Sequence, residues 1–150
     1  MSLTVRVAQL GDWEQVYSFY DDVLDAESLE AARGRFQRKL ESELECVLVA
    51  IKDERLIGIA LAHQWDEYLM TGDRQIRFST LKVRPEERRQ GVGKALVEGI
   101  IAWAQARDAR WLEWYASPSA VPFYSRLGYH GTLGPDPDHP YYEIDFKPRA

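Results

Sequence analysis

The feature that most constrains the fold of this chain is a pair of glycines between a predicted strand and a predicted helix. Residues 76–83 alternate in polarity as a strand does, and Pro85 ends that strand because proline cannot donate to a ladder. Gly91 and Gly93 follow. Apolar residues then recur at three- and four-residue spacing as far as Ala106, which predicts an amphipathic helix that starts near Gly91. The chain must therefore turn sharply from a sheet into a long helix here.

Positive charge concentrates at this junction, although the formal net charge of the chain is -5. The cations are Arg84, Arg88, Arg89 and Lys94. A helix N-terminus presents unpaired backbone N–H groups and a partial positive charge, and glycine lets an anion approach that backbone closely. These properties predict a phosphate-binding site. The alternative is a solvated charged face in which the cations pair with Glu86 and Glu87, the usual fate of a charge run.

Length and composition indicate a single domain over residues 1–150 with its own apolar core. No apolar run approaches the ~20 residues of a membrane span, and the chain does not start with a signal-peptide core, so the expected location is the cytoplasm with no membrane partner. The acidic balance argues against nucleic-acid binding. Cys46, the one cysteine, is expected to be a buried small hydrophobe, and the histidines lack metal-ligand spacing, so no metal is expected.

Periodicity along the chain predicts the element order β-α-α-β-β-β-α-β-α-β-β. The predicted strands cover residues 4–8, 46–51, 56–63, 76–83, 111–115, 129–133 and 141–146. The predicted helices cover residues 13–24, 28–42, 91–106 and 118–127. Asp12 is the expected N-cap of the first helix, and Gly128 ends the last. Several hairpins among mixed elements imply an α+β domain with a mixed sheet.

Two common nucleotide-binding patterns do not fit the glycine segment. A dinucleotide fingerprint needs a third glycine where Leu96 stands, and the Lys-Ser/Thr pair of a P-loop is absent. The run from Val83 to Leu96 instead resembles the Arg/Gln-x-x-Gly-x-Gly/Ala signature of the GNAT family of N-acetyltransferases. A second run, from Ala120 to Tyr129, resembles that family's Ala-x-x-Phe-Tyr-x-x-x-Gly-Phe/Tyr segment. The two runs come in the order and at the spacing of the family.

This resemblance implies a single, mixed, mostly antiparallel sheet of about seven strands, flanked by about four helices and splayed between the fourth and fifth strands. It also implies acetyl-CoA as the acyl donor, with its pyrophosphate on the glycine loop and its pantetheine arm along the strand that ends at Val83. The cofactor-binding residues that it implies are Leu81, Val83, Arg88, Arg89, Gln90, Gly91, Val92, Gly93 and Lys94. A backbone donor aimed at the thioester carbonyl would stabilise the oxyanion of acyl transfer.

The resemblance places Tyr124 at the position of the family's catalytic tyrosine, which donates a proton or a hydrogen bond to the departing CoA thiolate. A phenol suits that role because its ordinary pKa of about 10 keeps it protonated until the sulfur gains charge. Ser117 stands where many members carry an asparagine that contacts pantetheine. Its hydroxyl either replaces that contact or caps the following helix. The general base stays open among Glu113, His63, Glu67 and a water chain.

The implied reaction is direct attack on the thioester by a primary amine of a small molecule or peptide, through a tetrahedral intermediate. No covalent enzyme intermediate is expected, because no activated Cys or Ser is evident. The alternative is a non-catalytic acyl-CoA-binding regulatory module, which the serine at position 117 and the unassigned base favour. Homodimers are common in this family, and the sequence identifies no interface for one.

Acidic side chains cluster in the two regions that flank the acceptor entrance in this family, and they favour a cationic amine. The first cluster is Asp21, Asp22, Asp25, Glu27 and Glu30, and the second is Asp66 and Glu67. Several aromatic residues are candidates for lining that entrance, with core packing as the alternative for most of them: Trp65, Tyr68, Trp111, Trp114 and Tyr115.

Overall fold

The computed structural model describes residues 2–20, 25–132 and 136–148, and its described strands form one sheet in the order β1-β2-β3-β4-β5-β6. The strands are β1 (Leu3–Val7), β2 (Glu45–Lys52), β3 (Arg55–Glu67), β4 (Arg74–Val83), β5 (Trp111–Tyr115) and β6 (Tyr141–Asp145). All neighbouring pairs are antiparallel except β4 with β5, which run parallel. The fold is therefore the expected mixed, mostly antiparallel sheet.

Helices cover both faces of this sheet. They are α1 (Trp13–Tyr17), α2 (Ala26–Glu41), α3 (Val92–Ala106) and α4 (Val121–Arg126), with 3₁₀ turns at Leu10–Asp12, Pro85–Glu87 and Pro118–Ala120. The apolar stripe of α3 buries Leu96 and Ile100 in the larger core cluster. Phe36 of α2 is buried in a second cluster with strand residues on the other face. No helix among the described residues is long and apolar enough to cross a membrane.

The predicted strand over residues 129–133 is wrong for the residues that the structure describes. Thr132 alone is paired there, through a single bridge to Tyr141, and Leu133 lies outside the described residues. Gly131 interrupts this stretch, and a glycine offers no side chain for cross-strand packing. The sheet therefore has six described strands rather than about seven.

The first helix is also shorter than predicted. It ends at Tyr17, and the amides of Phe19 and Tyr20 bond to carbonyls three residues back, which is the tighter 3₁₀ pattern. Leu24, which the periodicity placed on this helix, lies outside the described residues. Asp12 precedes the helix as expected, but its carboxylate accepts hydrogen bonds from Arg6 and the Gln9 amide instead of capping it.

The splay between β4 and β5 is confirmed. These two strands pair only through Gln75–Trp111, Ile76–Leu112 and Arg77–Glu113, although β4 continues to Val83. Beyond the last pair, the β4 edge that faces β5 has no partner strand in the described part of the chain. Its backbone N–H and C=O groups can therefore bond a ligand instead of a strand.

Candidate functional site

A cleft opens where β4 and β5 diverge, directly beyond the Arg77–Glu113 pair. Its volume is about 190 Å³. Its lining comes from both strands and from the segment leading into α4: Phe78, Ser79, Thr80, Leu81, Trp114, Tyr115, Ala116, Ser117, Ala120 and Tyr124. The divergence of two parallel strands thus creates a slot whose walls are strand backbone on one side and aromatic rings on the other.

The loop that follows β4 holds its backbone in a shape suited to an anion. Arg89 and Gly91 both lie in the left-handed region, with φ of 64° and 82°. Alternation of left-handed and ordinary residues turns successive N–H groups toward one concavity, a geometry that binds anions. Gly91 is also the N-cap of α3, where a glycine tolerates positive φ without strain. The requirement for glycine at position 91 is therefore conformational.

The first turn of α3 is open for an anion. No side chain caps it, and no acidic residue occupies it. Its free amides, at residues 92–94, carry the positive end of a 15-residue helix. Arg88, Arg89 and Lys94 form no ion pair within the described ranges, so their charges are available to a ligand at this site.

The acids next to these cations are engaged elsewhere. Glu86 pairs with Arg55 at 2.7 Å, and Glu87 pairs with Lys52 at 2.9 Å. The interpretation of residues 84–89 as a self-paired charged face is therefore wrong. Arg84 is not among the cations available to a ligand. Its Nε donates to the Leu56 carbonyl, and its guanidinium lies over the Phe19 ring.

Gly93 serves packing as well as access. A Cβ at this position would stand 3.0 Å from two ring atoms of Phe123 and 4.0 Å from Val83 Cγ2. The start of α3 thus rests directly on α4, the helix that carries Tyr124. The sequence interpretation of Gly93, that it lets an anion approach, covers only part of the reason for a glycine here.

Tyr124 reaches the cleft from inside an aromatic cluster. Its ring lies 5.4 Å from that of Trp114 and 5.2 Å from that of Tyr142, and its side chain is 5% exposed. Burial, with a contribution from Tyr142, raises the pKa of Tyr124 above its usual value. No hydrogen-bond acceptor for its hydroxyl occurs among the described residues. The phenol is therefore a protonated donor with a free proton in the wall of the cleft.

Ser117 also lines the cleft, and it does not cap the turn that follows it. Its hydroxyl lies 3.3 Å from that of Ser119, and no capping hydrogen bond links it to the 3₁₀ turn. The prediction that the hydroxyl caps the following helix is therefore wrong. Leu81 lines the same slot, while Val83 packs at the edge of the core near the glycine loop.

Glu113 lies at the closed end of the cleft, buried to 3% exposure. Its carboxylate accepts hydrogen bonds from Arg77 at 2.7 Å, Tyr141 at 2.6 Å and Gln75 at 3.0 Å. Burial raises the pKa of Glu113, but the hydrogen bonds from Tyr141 and Arg77 outweigh that effect, and the net pKa lies below its usual value. The group is therefore ionised at neutral pH despite its burial.

A model of the acetyltransferase (GNAT) family matches residues 11–129. The chain belongs to the GNAT family. None of the curated proteins compared with the chain matches it. Many solved structures do, and three of them illustrate the range.

PaiA N-acetyltransferase from Thermoplasma acidophilum, solved in complex with coenzyme A, superimposes with a TM-score of 0.74 at 16% identity, over 97% of this chain and 100% of that one. YncA from Salmonella typhimurium, described as a putative acetyltransferase and solved with acetyl-CoA, superimposes with a TM-score of 0.74 at 13% identity, over 100% of this chain and 97% of that one. A transcriptional regulator from Bacillus halodurans C-125 superimposes with a TM-score of 0.73 at 26% identity, over 89% of this chain and 98% of that one. The GNAT fold is thus shared over nearly the whole chain.

The three side chains considered as the general base are not equivalent in this GNAT domain. Glu113 and His63 share a sheet face, because His63 pairs with Arg77 in the register and Arg77 pairs with Glu113. Glu67 is the last residue of β3 and forms an ion pair with Arg74, at the end of β4 that lies away from the splay. None of the three is among the lining residues of the cleft, but Glu113 belongs to the last β4–β5 pair and is followed in β5 by the lining residue Trp114.

Few of the residues expected near the acceptor entrance contact the cleft. Trp114 and Tyr115 line it, whereas Tyr68 and Trp111 pack on each other at 5.2 Å beyond its closed end. Asp25 caps α2 by accepting the Ser28 amide. Asp21 and Asp22 lie outside the described residues.

The hydrogen-bond partners of Glu113 were not anticipated from the sequence. Gln75, Arg77 and Tyr141 come from two other strands, and only the register brings them together. The signal in the sequence was a glutamate inside an apolar run, Trp111 to Tyr115. If such a glutamate is buried, its carboxylate needs hydrogen-bond donors around it.

Within the described residues, no group of three or more His, Cys, Asp or Glu side chains is placed to hold a metal. Cys46 is buried as expected, and burial raises the pKa of its thiol to about 12.

Proposed function

We propose that this chain is an acetyl-CoA-dependent N-acetyltransferase that acts on a primary amine by direct attack. The observation that carries the proposal is the presence of two features on consecutive segments of the chain: the slot beside β4, and the open first turn of α3, next to which Arg88, Arg89 and Lys94 form no ion pair within the described residues. The structures of PaiA with coenzyme A and YncA with acetyl-CoA, which share this fold, support the choice of donor.

The donor would be held mainly by backbone groups. The amides of residues 89–94 would bind the pyrophosphate, with Arg88, Arg89 and Lys94 supplying charge. The free edge of β4 near Leu81 would bond the pantetheine amides, as a strand edge bonds an added strand. The Ser117 hydroxyl is close enough to the slot to add one polar contact. Gln90 and Val92 would contribute through their backbone in the same loop.

Tyr124 would act at the sulfur. When the amine attacks, the carbonyl oxygen gains charge and the thiolate departs. A backbone N–H of β4 would stabilise the oxyanion, and the Tyr124 hydroxyl would hydrogen-bond the sulfur. Because burial raises the pKa of Tyr124, the hydroxyl stays protonated as that charge develops. Its role is then mainly to donate a hydrogen bond.

Glu113 would take the proton from the amine. It is ionised, it adjoins the closed end of the slot, and its remaining lone pairs can accept a proton. The rings of Trp65 and Tyr115 already hold the Arg77 guanidinium, at 5.4 and 5.7 Å from their centroids. The preference for a polyamine-like or similarly cationic acceptor therefore rests on the acidic side chains of residues 25–30 and 66–67 and not on these rings.

The proposal is tested by calorimetry with acetyl-CoA and by release of CoA thiol across a panel of amines. We expect binding in the micromolar range and faster turnover of a polyamine than of a neutral amine of similar size. No binding at millimolar acetyl-CoA would reject the function. Equal turnover of cationic and neutral amines would reject the substrate class alone.

A second function has one observation in its favour. The structure that shares 26% identity with this chain is that of a transcriptional regulator, and position 117 lacks the asparagine of many family members. A non-catalytic acyl-CoA-binding regulatory module would bind acetyl-CoA but release no thiol with any amine in the panel. The same two measurements therefore separate the two functions.

A further inference from the structure

A row of polar side chains crosses five strands of the sheet on the face opposite α3. Each member stands directly opposite the next in the register: Glu45, His63, Arg77, Glu113 and Glu143. The row ends at β6, the last strand of the described sheet. It thus connects the buried Glu113 to the exposed Glu143 at the edge of the sheet.

Tyr141 bridges these two carboxylates. Its hydroxyl oxygen lies 2.6 Å from Glu113 Oε2 and 2.7 Å from Glu143 Oε2, both within hydrogen-bond range. A phenol carries one proton, so it can donate to only one carboxylate at a time. The second contact becomes a hydrogen bond when one proton is added to the trio. The arrangement is therefore complete in the state that deprotonation of an amine by Glu113 would create.

The bridge through Tyr141 connects the buried Glu113 carboxylate to a carboxylate that is exposed to solvent. Glu113 is 3% exposed, and its remaining partners, Arg77 and Gln75, are donors that carry no lone pair toward it. Tyr141 is the one partner that both donates and accepts. Glu143, beyond it, is exposed.

We propose that Tyr141 relays protons from Glu113 to Glu143 and so to solvent. The proposal rests on the proposed function, in which Glu113 accepts the proton of the amine. The amine proton reaches Glu113 Oε1, which accepts only the bond from Arg77, and a half-turn of the carboxyl group then brings the protonated oxygen to face Tyr141. From there the proton passes to the Tyr141 oxygen as the original Tyr141 proton passes to Glu143 Oε2. Glu143 then releases that proton to water. One O–H bond forms and one breaks at Tyr141, and nothing is oxidised or reduced.

The groups around the relay favour outward movement. From β4, the Arg77 guanidinium stabilises ionised Glu113, and Gln75 donates to the same carboxylate. From β5, the Tyr115 ring packs 5.4 Å from that of Tyr141. From β3, His63 flanks Arg77 in the row. The positive charge of Arg77 lies beside Glu113, whereas Glu143 forms no ion pair among the described residues. This difference in charge favours movement of the proton from Glu113 to Glu143.

The test compares Tyr141→Phe and Glu143→Gln with the parent protein in steady-state thiol release, because the relay returns Glu113 to its ionised form between turnovers. We expect each variant to lower the rate about 10-fold with acetyl-CoA affinity unchanged, and the double variant to be no slower than either single one. In mixtures of light and heavy water, the parent rate should depend on deuterium content along a curve, since two protons move together. The Tyr141→Phe rate should depend on it linearly.

Glu45→Gln is the matched control, since Glu45 lies in the same row at its far end and pairs with Lys39. Its rate should equal that of the parent. Unchanged turnover in Tyr141→Phe, or additive losses in the double variant, would overturn the relay while leaving the acetyltransferase intact. A parent protein that binds acetyl-CoA without turnover would instead overturn both the proposed catalysis and the relay.

Discussion

Gly93 and Phe123 are in contact across the junction between the glycine loop and the helix of Tyr124. A Cβ on Gly93 would stand 3.0 Å from the Cε1 and Cζ atoms of the Phe123 ring. The anion-binding end of the site and its catalytic candidate are therefore positioned by one contact. A side chain added at the first turn of α3 would therefore press on α4, because the contact leaves no space for a methyl group.

Substituting Gly93→Ala should therefore damage both ends of the site. The added methyl overpacks the contact, at a cost of about 1–3 kcal/mol in the free energy of unfolding. We expect weaker acetyl-CoA binding and slower thiol release in the same variant. Gly34→Ala is the control, since Gly34 lies inside α2 with only a flexible arginine tip nearby, and it should raise stability by about 0.5–1 kcal/mol. Thermal unfolding and calorimetry measure both effects.

The unpaired cations at the loop should contribute through charge alone. Arg88→Ala and Arg89→Ala should each weaken acetyl-CoA binding about two- to fivefold, since exposed charges contribute up to about 1 kcal/mol. The loss should shrink as salt rises, because salt screens exposed charges. Arg33→Ala on α2, on the other face of the sheet, removes the same charge and should leave affinity unchanged. Equal effects from all three variants would contradict a local site.

The Tyr124 hydroxyl should matter for turnover more than for binding. In Tyr124→Phe the ring keeps its packing against Trp114 and Tyr142, and only the donor is lost. We expect kcat to fall about 100-fold with acetyl-CoA affinity nearly unchanged. Because the pKa of Tyr124 is raised, the parent should show no loss of kcat from its ionisation below about pH 10. Tyr129→Phe, in the same aromatic cluster, is the control. A normal kcat in Tyr124→Phe would remove the residue from catalysis.

Local patterns predicted the local parts of this fold well. The strand from Trp111 to Tyr115 was predicted with its observed bounds, and α3 begins one residue after Gly91. What could not be predicted depends on pairing between distant segments. Tyr141 meets Glu113 only because β6 pairs with β5 in one register, and a slip of one residue would turn every side chain to the other face. The Gly93–Phe123 contact likewise depends on how two helices approach, which periodicity does not encode.

A partly buried ion pair between Arg6 and Asp12 should make the stability of the fold depend on pH. The Asp12 carboxylate accepts two hydrogen bonds from Arg6 and one from the Gln9 amide, and the bond from Arg6 holds the pKa of Asp12 below its usual value, against the opposing effect of burial. A lowered folded-state pKa adds stability above the unfolded pKa of about 3.9, and that stability is lost as pH falls toward the folded value. Asp12→Asn should cost about 1–3 kcal/mol at pH 7.

Denaturant titrations at pH 7 and near pH 3 measure the difference in the free energy of unfolding between the parent and Asp12→Asn. This difference should be smaller at the lower pH. Asp108→Asn is the comparison, since Asp108 forms an exposed ion pair with Lys147. Its effect should be near zero at both values, as for most exposed pairs. If the loss of stability in Asp12→Asn does not change with pH, packing and hydrogen-bond geometry rather than the charge of Asp12 are responsible for it.

Removing the charge of Glu113 should lower activity, whereas removing the charge of Glu67 should not. In Glu113→Gln the amide keeps the contact with Tyr141 but cannot take a proton from the amine, so we expect kcat to fall at least about 100-fold. Glu67→Gln, which only breaks an exposed pair with Arg74, should retain the parent rate. Since the pKa of Glu113 is lowered, the acid limb of the parent profile should follow protonation of the amine substrate and shift when a less basic amine is used. An acid limb that stays fixed across amines would assign it to an enzyme group instead.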